Sequence, residues 1–139
     1  MIRWTILKAV LLGVGTLVAA HLIYLFDLMT PGPHEFLDVA LLLVPGVASF
    51  ASTYVAPKRK VLVGMSLALF GPIVAMIAAQ AHQLLGIAVD RIAGVVGMFA
   101  ILFVYHAMSC TVGTAIGFAA SRTIRDGLSK PSKEDRDIH

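Results

Sequence analysis

Cysteine occurs once in the 139 residues, as Cys110, and tryptophan once, as Trp4. A single cysteine excludes an intrachain disulfide framework and any multi-cysteine metal site. Charge is also scarce: 14% of the residues are charged, against roughly 25% in a soluble domain. No H-x-x-x-H spacing, glycine-rich phosphate loop or nucleophile elbow is present. His106 has Ser109 and Cys110 on its own helical face, but nothing supplies an oxyanion donor. These absences leave no motif on which an enzyme could be argued, and neither catalytic residues nor a metal site are assigned.

What the chain has instead is apolar length. Hydrophobic residues make up 58% of it, in long runs separated by short charged punctuation. About 20 apolar residues suffice to span a bilayer as a helix. Four runs qualify, at 4–26, 36–56, 61–88 and 92–120. The expected fold is an all-α membrane protein, a four-transmembrane-helix bundle over 1–120, followed by a polar cytoplasmic tail over 121–139 that is helical in its first turns. A cleavable leader ending near Val18-Ala19-Ala20 is disfavoured, because the apolar run continues through His21-Leu22-Ile23-Tyr24 to spanning length.

The positive charge is placed, not spread. With the amino terminus inside, ten basic residues face the cytoplasm, including the turn residues Lys58, Arg59 and Lys60, and Arg91 alone faces out. That asymmetry is the positive-inside signature. It sets both termini in the cytoplasm of a multi-pass protein in the cell inner (plasma) membrane, and makes Pro57–Lys60 a cytoplasmic turn joining two spanning helices. The net charge of +3 then reflects topology, and nucleic acid is not an expected partner.

Two pairs of helix breakers flank this turn. Pro45-Gly46 and Gly71-Pro72 lie equally far from its centre, roughly 20 Å away at about 1.5 Å per residue. Each proline frees a carbonyl four residues earlier, at Leu41 and Ala68. In hydrocarbon such a carbonyl needs a partner or a cavity. Paired breaks at one depth either shape packing or open a site.

Intramembrane polar residues sort into two layers. His21, Asp38, Gln80, His82 and Gln83 fall near the outer face, while His106 sits deeper, level with Ser49, Ser52 and Thr53 of the second helix. The histidines admit three uses: gluing helices together, a proton or ion path, or axial ligation of a b-type haem by His21 and His82. No cofactor is assigned.

Small residues mark helix contacts. Gly94, Gly97, Gly113 and Gly117 lie on the fourth helix, the last two as G-x-x-x-G in one stripe with His106 and Cys110. Their abundance suggests association with a second copy or with another membrane subunit. The leading expectation is therefore a small helix-bundle protein acting by helix–helix association in the lipid bilayer, as a homo-oligomer or accessory subunit. The alternative is a small channel or proton-coupled transporter using the intramembrane His/Asp/Gln residues.

Overall fold

The computed structural model describes residues 2–29, 35–84 and 95–128. Four helices make up these segments: α1 (Ile2–Leu28), α2 (Glu35–Val55), α3 (Lys60–Leu84) and α4 (Val95–Leu128), with no strand among the described residues. Three carry spans long and apolar enough to cross a membrane: Trp4–Leu28, Lys60–Ala81 and Val96–Ile124. α2 adds a shorter apolar stretch, Ala40–Val55. Gly94 and the stretch between α3 and α4 lie outside the described residues.

The polarity of the bundle is inverted relative to a soluble domain. Large apolar side chains point outward, among them Trp4 at 68%, Phe26 at 69% and Met108 at 69% exposure, while Ser49, Ser52, Thr53, His106 and Thr114 are buried. In water that arrangement would leave apolar surface exposed and desolvate hydroxyls for little return. Against hydrocarbon it is the favourable one, because polar side chains find partners only inside.

α2 and α3 touch each other and both touch α1 and α4, whereas α1 and α4 share no contact among the described residues. The α2–α3 hairpin is therefore the short diagonal of a diamond. Its turn explains the basic cluster in part. Lys60 donates from Nζ to the carbonyls of Thr53 (3.2 Å) and Tyr54 (3.0 Å), covering the open carbonyl end of α2. Arg59 adopts a left-handed backbone, φ 51°, and its carbonyl accepts from the Val63 amide at 3.0 Å to start α3.

Pro45 and Pro72 do not break their helices. α2 and α3 both continue as helix through them, with Gly46 and Gly71 beside the prolines. Side chains of α4 reach the α2 backbone around Pro45. The Tyr105 hydroxyl donates to the Leu42 carbonyl, and Cys110 Sγ lies 3.6 Å from the Pro45 carbonyl. Prolines persist within apolar helices where such side-chain donors reach the backbone.

α4 continues beyond residue 120 to Leu128. There Ser121 Oγ donates to the Phe118 carbonyl at 2.8 Å and Arg122 lies 4.5 Å over the Phe118 ring. The glycine stripe of α4 faces inward: a Cβ at Gly113 would stand 2.0 Å from the Gly46 carbonyl oxygen, and one at Gly117 2.7 Å from that of Phe50. These glycines are consumed by the α2–α4 contact within one chain. Gly97 is half-buried.

Candidate functional site

The interior is layered along the bundle axis. Nearest the turn, Ala9, Ala56 and Val63 pack together with Ile6 and Val10. Above them Ser49 joins three helices at one atom: its Oγ is 2.7 Å from Thr114 Oγ1, 3.0 Å from the Cys110 carbonyl and 3.1 Å from the Gly64 carbonyl. Ser49 has one proton, so Thr114 donates to Ser49 while the Ser49 hydroxyl serves the two carbonyls. Gly64 permits this, since a Cβ there would collide with Thr53 Oγ1 at 2.1 Å and Thr114 Oγ1 at 2.3 Å. Ser52 Oγ and Thr53 Oγ1, in the same layer, have no hydrogen-bond partner.

An apolar layer follows. Leu17, Ala48, Leu67, Ala68 and Cys110 form one buried cluster with Val44, Val74 and Ala107 against it. Beyond this layer, away from the turn, a cavity of about 490 Å³ lies between all four helices. α1 contributes His21 and Tyr24, α2 contributes Pro45 with Leu41 and Leu42, α3 contributes three alanines, and α4 contributes Tyr105 and His106. Its walls are mainly apolar, with a few polar groups converging, and its volume is within the range of ligand sites, roughly 300–1,000 Å³.

Both histidines are oriented by their own helices. His21 Nδ1 is 2.8 Å from the Leu17 carbonyl, and His106 Nδ1 is 2.7 Å from the Leu102 carbonyl. A carbonyl only accepts, so each Nδ1 carries the hydrogen and Nε2 is the ring nitrogen left for another partner. His106 is 2% exposed, and its Nε2 is buried with no hydrogen-bond partner. Gly71 makes room for that ring edge: a Cβ there would stand 2.0 Å from Cδ2 and 2.8 Å from Nε2. Tyr105 meets the His106 ring edge-on at 5.2 Å. A buried acceptor left unpaired costs about 1–3 kcal/mol.

A second recess of about 180 Å³ between α1 and α3 shares His21 and Ala78 with the cavity, and its other walls are apolar. His21 thus stands between the cavity and a groove on the apolar outer surface.

The structure brings His21 and His106 to one cavity, although counting residues along the helices assigns them different depths. Gln80 is exposed on α3, and the side chains of Asp38, His82 and Gln83 lie outside the described residues, as does the proposed His21–His82 haem pair. Among the described residues no three His, Cys, Asp or Glu side chains converge. Tyr24 at the cavity and Gly71 in its role as ring seat were not legible, whereas Tyr105 is placed with His106 by their adjacency in sequence. The pairing of Gly71 with an imidazole 35 positions away leaves no local trace.

The fold and this cavity define a class: a small bundle of apolar helices, compatible with a membrane protein, with its polar side chains turned inward. Comparison of the chain with protein-family models, with curated proteins and with solved structures found no match.

Proposed function

We propose that the chain is a multi-pass inner-membrane protein, with both termini and the Pro57–Lys60 turn in the cytoplasm, that works as a small proton-coupled carrier. Its cavity, in the outer half of the bilayer, takes a small and largely apolar solute with a hydrogen-bond-donating head. The observation that carries this reading is a cavity lined by all four helices, at which His21, Tyr24, Tyr105 and His106 converge. An imidazole that accepts the solute's donor through a ring lone pair cannot hold a proton there at the same time, so the two compete and release is tied to protonation. Leu17 and Leu67, both fully buried beneath the cavity, block a continuous path toward the turn, which favours a carrier over an open channel. The α1–α3 recess beside His21 supports entry from the membrane side.

The test is mass spectrometry of protein purified in mild detergent. A stoichiometric small molecule is expected in the wild type, depleted at least tenfold in Ala78→Trp, which fills the cavity. A wild type carrying only bulk phospholipid, or an equal load in the variant, refutes the reading.

Association through helices is the second reading. Gly113 and Gly117 are spent internally, but Gly15 and Ala19 of α1 are exposed at G-x-x-x-A spacing, and a Cβ at Gly15 meets nothing within 4 Å. Crosslinking through Gly15→Cys in native membranes tests that face; absence of any adduct counts against it.

A further inference from the structure

The basic turn has more cations than its fold requires. Lys60 is engaged at the end of α2, while Lys58 and Arg59 are exposed beside it. They rim a cleft of about 850 Å³ whose far side is Arg122 and Phe118 of α4 and whose wall is Val61, Leu62 and Met65. No carboxylate is among the described residues lining it. Arg122 is seated over the Phe118 ring at 4.5 Å, which turns a flexible cation into a directed one.

Arg59 adds an independent observation. Its φ of 51° is a conformation natural to glycine and strained for a side-chain-bearing residue. The turn would close more easily with glycine, so arginine at this place points to a use for the guanidinium. Below the cations the wall is apolar and open, with Val61 at 52% and Leu62 at 62% exposure. The cleft thus matches a molecule with an anionic head and a hydrocarbon body. A soluble phosphate compound would leave the wall unused.

We propose that this cleft is a binding site for an anionic phospholipid, with the phosphate between Arg59, Lys58 and Arg122 and an acyl chain along Val61, Leu62 and Met65. The site rests on the membrane part of the proposed function and is independent of the cavity. It gives the turn a second task besides topology: a fixed lipid ties α3 to the end of α4 at the cytoplasmic surface. Each cation near an anionic surface contributes roughly fivefold in affinity.

The full-length protein is reconstituted in vesicles of equal phosphatidylcholine and phosphatidylglycerol, and retained lipid is read by native mass spectrometry. The expected result is at least tenfold enrichment of phosphatidylglycerol, falling below threefold in Arg59→Gly and in Arg122→Gln. Thermal unfolding in neutral detergent controls for folding, and Arg59→Gly is expected to be no less stable there than the wild type. Lys130→Gln with Lys133→Gln, in the tail, is expected to retain the enrichment. No enrichment in the wild type, or equal loss in the tail variant, overturns the site. Complete displacement by millimolar inorganic phosphate also overturns it, in favour of a soluble anion. Flotation separates the two failures: protein that does not float with vesicles refutes the membrane reading itself, whereas protein that floats without lipid preference refutes only this cleft.

Discussion

The α2–α4 contact can be tested by one methyl group placed at two sites. At Gly113 an added Cβ would meet the Gly46 carbonyl oxygen at 2.0 Å, its carbon at 2.8 Å and the Gly46 Cα at 3.0 Å. All three are backbone atoms, so no rotamer change relieves the overlap. The helices must part by roughly 1 Å, enough to forfeit a quarter to a half of each affected dispersion contact. Overpacking of this kind costs about 1–3 kcal/mol. Gly15 is the internal control, because a Cβ there meets nothing within 4 Å. Both substitutions gain the same helix propensity, up to about 1 kcal/mol, so their difference isolates packing. Unfolding by sodium dodecyl sulfate in mixed micelles should place Gly113→Ala about 2 kcal/mol below Gly15→Ala, close to thirtyfold in the equilibrium constant. Equal stability of the two variants would refute the close approach of α2 and α4, and with it the inward orientation of the α4 stripe.

Three further outcomes are expected. Ser49→Ala removes the atom shared by Thr114, Cys110 and Gly64 and should cost about 1–2 kcal/mol in the same unfolding assay; a change under 0.3 kcal/mol counts against the layer. Nitrogen-15 spectra of histidine-labelled protein in lipid should show hydrogen on Nδ1 of His21 and His106, matching their bonds to Leu17 and Leu102, and rings with hydrogen on Nε2 alone at both would contradict the cavity geometry. Gly71→Ala should displace the His106 ring, given the 2.0 Å approach to Cδ2, and lower solute retention at least tenfold with less loss of stability than Gly113→Ala, because a side chain can yield where a backbone cannot.

The four helices were legible because apolar runs of spanning length, cut by Pro57–Lys60 and by the polar 27–35 stretch, leave few other folds. The stripe of His106, Cys110, Gly113 and Gly117 was legible as a single face by periodicity alone. Which partner that face would meet was not, since a small-residue stripe reads alike whether it packs within a chain or between chains. The prolines are ambiguous for a related reason. Proline removes a donor, but whether the helix then breaks depends on its packing in the bundle, and beside Pro45 the side chains of Tyr105 and Cys110 of α4 reach the α2 backbone. Depth counted by residue number likewise separated His21 from His106, because a cavity has height along the axis and both rings reach it.

The two halves of the bundle are held differently, and this bears on how a carrier could work. At the turn end, Ser49 ties α2 to α3 and α4, Lys60 binds the end of α2, and Gly113 and Gly117 draw α4 onto α2. Beyond the Leu17–Leu67 layer the same four helices surround open volume. Prolines at matching distance from the turn, each lacking one helical hydrogen bond, mark where the held half gives way to the open half. Bending there would change the cavity while leaving the polar layer intact, since the bonds of Ser49 lie on the turn side of both prolines. The His106 ring, seated on Gly71 next to Pro72, lies at that boundary, where a small change in packing has the longest lever.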